Sequence, residues 1–162
     1  MEVLSSHVFL KSVKDGEVSR KWKQQVVNIR RVTKVVKGGK KLQFAAIVVI
    51  GNENGYVGLG LGKANDVSDA VRKASYNGKR NIISVPLTSD KSISHLVRGR
   101  FGASTVLIKP ASSGSGVIAG GSVRIILELA GLKNVMAKQL GCNNLLNNAR
   151  ASIAALQSIK RS

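Results

Sequence analysis

From Leu42 to Ile50 apolar residues occupy every second position, so that Leu42, Phe44, Ala46, Val48 and Ile50 line one face of an extended strand. The stretch before it, Gln25 to Val36, is rich in β-branched residues and predicts a partner strand. Its apolar parity slips at Arg30–Arg31, from Val27 and Ile29 to Val32 and Val36, which predicts a bulge there. Lys37 to Lys41 (KGGKK) reads as a flexible connection between the two strands. Asn52 to Gly55 (NENG) is a hairpin turn whose Asn-Gly pair tolerates positive φ. A third strand runs from Tyr56 to Leu61 and ends in Gly62–Lys63. The period then changes. Val67, Ala70, Val71 and Ala74 keep the spacing of a helix that buries one face, with Asp66 as N-cap and Asp69 near its positive end. Arg72, Lys73, Lys79 and Arg80 fall on faces away from that core, and the unit ends near Asn81.

Pro86 to Lys91 breaks both periods and reads as a linker. Beyond it, Ile93 to Arg98 and Ala103 to Lys109 are strand candidates separated by the basic, glycine-containing RGRFG. Pro110 to Gly121 (PASSGSGVIAGG) is a glycine-serine loop opening a helix that carries Val123, Ile126, Leu127 and Ala130 inward and stops at Gly131. Val135 to Leu140 is a short strand. A last helix is capped by Asn143 or Asn144, turns Leu145, Ala149, Ile153 and Leu156 inward, and has Lys160–Arg161 at its negative end. The pattern is α+β in two small domains, an N-terminal βββα unit and a C-terminal βαβα unit. It divides the chain into an extension (1–23), a first domain (24–84), a linker (85–91) and a second domain (92–162).

Charge changes what this fold is for. The 162 residues hold 26 Lys and Arg against 8 Asp and Glu, a formal charge of +18. A packed domain with such self-repulsion matches a polyanion, whose condensed counterions are released on binding. Residues 11 to 41 hold eleven basic residues with only Asp15 and Glu17 as acids, and from Lys91 onward there are ten basic residues and one acid. Positive charge on both domains fits an RNA that wraps several sides better than a DNA read by one recognition element. Aromatics at 4% argue against a platform that stacks unpaired bases and point to recognition by shape and phosphate. The longest wholly apolar run near the centre, Ala45 to Ile50, is far too short to cross a bilayer. No signal-peptide pattern is present, and the single cysteine, Cys142, excludes an internal disulfide.

Candidate chemistry is sparse. Gly58, Gly60 and Gly62 with Lys63 fail the P-loop, because Ala64 stands where a Mg²⁺-binding Ser or Thr belongs. They fit either a phosphate approaching Gly60 and Lys63 or a second backbone packed on the strand. The glycine-serine loop is similar to the phosphate loop of the galactokinase and homoserine kinase type. Phosphoryl transfer needs carboxylates, however, and after Asp90 only Glu128 remains. The same loop, through Ser112, Gly114 and Gly116, fits a protein-facing or RNA-packing element, with Arg98, Arg100 and Lys109 supplying charge nearby. His7 and His95 lack the neighbours of a metal or catalytic site, and Trp22, a lone aromatic among basic residues, reads as a cap on the first core or a surface for stacking a base. No catalytic residue, metal or cofactor is expected.

The string Gly39, Lys40, Phe44, Ala46, then Gly51–Asn52, Gly55, Gly58, Gly60, then Val67, Ala70, Val71 resembles the small-subunit ribosomal protein five family of bacterial and organellar type. KPASSGSGVIAGGSVRIILELAGLKNVMAK, from Lys109 to Lys138, resembles that family's second domain. The resemblance implies a first domain like a double-stranded-RNA-binding domain without its first helix, and a second domain sharing its fold with the kinases above without their catalysis. It implies a structural, non-enzymatic component of the ribosome, in a bacterium or an organelle such as the plastid, that binds small-subunit rRNA and supports decoding accuracy. The neighbours it implies are small-subunit proteins four and eight, near where messenger RNA enters. It also implies that the first hairpin reaches toward an aminocyclitol antibiotic site, where Thr33, Lys37 and Gly38 bear on drug sensitivity. RNA contacts are expected from Arg30, Arg31, Lys34, Lys37, Gly38, Gly39, Lys40, Lys41, Gly60, Lys63, Arg72, Lys73, Lys79, Arg80, Arg98, Arg100 and Lys109.

Overall fold

The computed structural model describes residues 22–159, so the readings of the extension before Trp22, of His7 and of Lys160–Arg161 fall outside the described residues. The first sheet is antiparallel and orders its strands β1 (Lys23–Val36), β2 (Gly39–Gly51), β3 (Tyr56–Ala64) and β4 (Ile82–Ser84) consecutively. The short β4, which pairs with Tyr56–Gly58, is a fourth strand beyond the three expected. Helix α1 (Val67–Arg80) crosses one face. There Ala46, Val48 and Ile50 bury against Ala64, Ala70 and Ala74. The alternation in β2 foretold that face. Ala45, Ile47 and Val49, between those residues, are buried as well. They form the other face of the same strand, and Val49 joins Val57 in a second, larger core. A strand covered on both sides carries an unbroken apolar run, which is why 45–50 lacks polar residues.

The second cover is the other domain. Its sheet has the order β5 (Val97–Phe101), β6 (Ser104–Pro110), β8 (Val135–Leu140), β7 (Val117–Ile118), with β7 and β8 parallel and joined through α2 (Gly121–Ala130). Helices α2 and α3 (Leu145–Gln157) pack on this sheet, and both also touch the first sheet. The molecule is therefore four layers deep: α1, sheet one, the α2–α3 pair, sheet two. Val123, Ile126 and Leu127 of α2 and Ala149, Ala155 and Leu156 of α3 fill the middle with Val106 and Ile108 of β6.

Five local readings are corrected. The bulge lies at Val27, between the Val26–Val48 and Asn28–Ile47 pairs, because Val27 turns into the inter-domain core; the register through Arg30 and Arg31 is regular. KGGKK is mostly strand, with Lys37–Gly38 as the turn and Val36 paired to Gly39; Gly38 supplies the positive φ of 91°. In NENG the positive φ falls on Glu53 (56°) and Gly55 (88°), since Asn52 spends its side-chain oxygen on the N–H groups of Asn54 and Tyr56. RGRFG is strand and turn, so β5 starts four residues later than Ile93. Leu42 and Val67, expected in the core, are 46% and 38% exposed because they lie beyond the end of the helix–sheet contact.

The NENG turn also seals the domain junction. The N–H groups of Glu53 and Gly55 donate to the carbonyls of Leu129 (3.0 Å) and Ala130 (2.9 Å). Those carbonyls belong to the last turn of α2, which has no helical partner for them. On the far side of that turn Asn134 ties the inter-domain segment to the glycine-serine loop. Its Oδ1 accepts from Gly114 N–H (3.0 Å), its Nδ2 donates to the Asp90 carbonyl (2.7 Å) and its own carbonyl accepts from Ser92 Oγ (2.6 Å). Asn134→Ala strands two of these partners. We expect a loss of about 1–3 kcal/mol in urea unfolding, with faster proteolysis around Ser112–Gly116.

Candidate nucleic-acid interface

The basic residues do not converge on one site; the layering spreads them over three surfaces. The first is an arm. Beyond Phe44, which still packs on the α1–sheet core, neither α1 nor the second domain covers the β1–β2 hairpin, and about 17 Å of it projects at the strand rise. On the side facing the second domain, Lys34 lies directly opposite Lys41, and Arg30 and Lys63 flank Ala45 in adjacent strands. Like charges paired across strands repel. On the α1 side stand Arg31, opposite Phe44, and Lys40, opposite Val35. Lys37, Gly38 and Gly39 form the tip, all exposed. Apolar groups are interleaved: Val35 is 74% exposed. A two-stranded ribbon with cations on both faces and no core of its own is suited to lie between two polyanionic surfaces.

The second surface is the outer side of α1. The Ala70–Ala74–Gly78 stripe faces the sheet, leaving Arg72, Lys73, Lys79 and Arg80 outward and exposed. Arg72 pairs with Asp69 at 2.9 Å, and the Arg80 guanidinium lies 5.9 Å from the Tyr76 ring centre.

The third surface is the outer face of sheet two, at the opposite end of the stack. Gly99 is buried under α3, so its neighbours Arg98 and Arg100 point the other way. Leu107 separates Arg98 from Lys138 across the strands, and Lys109 sits one strand from Met136. Lys138 was missed by the sequence reading because nothing in a lone Lys marks its face. Arg98 and Arg100 are not beside the glycine-serine loop: β5 and β7 are three strands apart, about 14 Å. Only Lys109, at the end of β6, is near it. Ser112, Gly114 and Gly116 are exposed, with Gly114 and Gly116 at φ 86° and 74°.

Gly60 is a correction. A Cβ there would run into the Ala74 carbonyl and the Gly78 N–H of α1, as one at Gly58 would meet the Gly78 carbonyl and one at Gly62 the Ala70 carbonyl. The glycine row is a bed for the helix backbone, which leaves no access for phosphate. Among the described residues no cluster of three His, Cys, Asp or Glu could hold a metal ion.

Two family models match in tandem: ribosomal protein S5, N-terminal domain, over residues 22–86, and ribosomal protein S5, C-terminal domain, over residues 99–162. The chain belongs to the ribosomal protein S5 family. Small ribosomal subunit protein uS5c of Rhodomonas salina is 63% identical over 150 residues, covering 93% of this chain and 89% of the relative. Its counterpart in Emiliania huxleyi is 56% identical, with 93% and 94% covered. Small ribosomal subunit protein uS5 of Synechocystis is 56% identical, with 93% and 87% covered. The S5 family is structural rather than enzymatic, and its two domain models match the two-domain α+β architecture described above. No described helix of this S5 chain is long and apolar enough to cross a membrane.

Proposed function

We propose that this chain is a structural component of the small ribosomal subunit that holds small-subunit rRNA through phosphate and shape, with the β1–β2 arm inserted between RNA segments. The observation that carries the reading is the uncored arm with Lys34 set against Lys41 on one face and Arg31 and Lys40 on the other. Such a ribbon is self-repelling in isolation and is stabilised when phosphates neutralise both sides. The α1 face and the outer face of sheet two, at opposite ends of the stack, supply further RNA contacts through Arg72, Lys73, Lys79, Arg80, Arg98, Arg100 and Lys109. The relatives named uS5c and uS5 support a ribosome of plastid or cyanobacterial type. Family likeness further supports a position beside small-subunit proteins four and eight, close to where messenger RNA enters, and an influence on decoding accuracy.

Replacing Arg72, Lys73, Lys79 or Arg80 by Ala one at a time is expected to weaken binding equally across RNA sequences and to lower the log–log salt slope by about 1 each. Filter binding at several salt concentrations checks this, and a variant that changed sequence preference would contradict phosphate readout. For the loop, a Cβ at Gly114 has nothing within 4 Å, but Gly114→Val places a β-branched residue at φ 86°. The expected loss of stability is about 1–2 kcal/mol, with the protein still folded and particle assembly or decoding fidelity impaired.

A further inference from the structure

Between the two domains lies an open groove of about 470 Å³ that the phosphate reading does not use. Its floor is Leu59 and Leu61, on the β3 face that turns toward the second domain, and its far wall is Leu146 and Ile153 of α3. Three amide side chains rim it: Asn77, Asn81 and Gln157. Phe101 and Arg150 close one end, with the guanidinium 5.0 Å from the ring centre. Phe101 is 40% exposed. No carboxylate lines the groove. Its floor runs along β3 into Lys63, two residues past Leu61 and about 7 Å away, where the cationic face of the arm begins. Lys79 and Arg80 follow Asn77 along α1.

We infer that this groove receives one unstacked rRNA base, inserted from the strand whose phosphates track Lys63 and Arg30. This deepens the rRNA reading and rests on it. A base needs apolar walls, a flat aromatic or guanidinium surface to stack on, and amides that both donate and accept at its edges. The groove has all three, and cations stand beside it for the attached phosphates. An acidic peptide would use the cations but leave the apolar floor and the Phe101–Arg150 plane without a matching partner. One base held this way gives a local sequence requirement to a protein that otherwise reads shape, and it accounts for an exposed aromatic in a chain that has few.

The test compares small-subunit particles reconstituted without the chain, with the wild type, with Phe101→Ala/Arg150→Ala, and with Ala154→Trp, which fills the groove without removing a contact. Dimethyl sulfate and carbodiimide report the base edges, while hydroxyl radicals report the backbone. The proposal expects a base edge protected by the wild type that returns to the chain-free level in both variants, with the backbone footprint on the arm side retained. Base reactivities that are the same for variants and wild type would overturn it. So would a photo-crosslinker at position 154 that captures only protein. If the wild type left no backbone footprint at all, the rRNA reading itself would fail, a result distinct from either of those.

Discussion

Gly60→Ala should unfold the first domain's helix–sheet contact and remove about 3 kcal/mol of stability, lowering the melting temperature by about 6–12 °C. The added methyl has no vacant space: it meets the Ala74 carbonyl and the Gly78 N–H, both backbone, so the helix itself must lift from β3. Lifting α1 opens the Ala46–Val48–Ile50 core beneath it. Gly99→Ala should behave alike, since its Cβ would meet the Ala151 carbonyl and the Ala155 N–H of α3. The two domains thus use one device, a glycine in a strand under a small-residue helix face. Gly121→Ala is the control. It has an ordinary φ and nothing within 4 Å, and should change stability by less than about 1 kcal/mol. Thermal melts of the three variants decide the matter; a Gly60→Ala protein as stable as wild type would show that the row of glycines has another purpose.

Removing Lys37, Lys40 and Lys41 together should leave the fold intact and sharply weaken RNA binding. All three are exposed and lie on the uncored arm, so no packing is lost. If each neutralises one phosphate, the log–log salt slope falls by about 2–3, and affinity at 0.1 M salt drops by about two orders of magnitude. Equilibrium titration from low to high salt measures both quantities at once. An unchanged slope would mean that the arm carries its charge for some other partner. Restoring lysine at position 41 alone should recover about one-third of the lost slope.

Much of the architecture was legible in advance, for reasons that differ by element. The helix ending at Gly131 was readable because its apolar spacing and its left-handed cap, φ 92°, are both local properties. The strand Val135–Leu140 was readable for the same reason, and so was a cap at Asn143 or Asn144; it is Asn144, whose Oδ1 accepts from the Leu146 N–H. The misplaced β5 shows the opposite case. RGRFG looks like a turn because Gly99 is there, and Gly99 is there because α3 lies on it, a contact about fifty residues away in sequence. The bulge at Val27 was likewise set by a distant partner, the inter-domain core.

The candidate site followed the same rule. Which residues are basic is plain from the chain, and so is a hairpin through Lys37–Lys41, from the β-branched Gln25–Val36 and the alternation in Leu42–Ile50; its projection as an arm was implied by the family resemblance. Which cations share a surface depends on register and on the stacking of layers. Lys34 meets Lys41 through the hairpin pairing, whereas Arg98 and Arg100 end on the far side of the stack from α1. Gly60 changed roles because the helix that covers it is fourteen residues further on, at Ala74.

This chain is expected to enter the small subunit through its cationic arm. The most direct measurement incubates small-subunit particles lacking this protein with the wild type or with the Lys37, Lys40 and Lys41 triple-alanine variant, then separates them on a sucrose gradient at 0.1 M and 0.5 M salt. The wild type should sediment with the particle at low salt, raising the salt should strip part of it, and the variant should stay near the top of the gradient under both conditions. A wild-type chain that remained at the top at low salt, or a variant that cosedimented as well as the wild type, would contradict it.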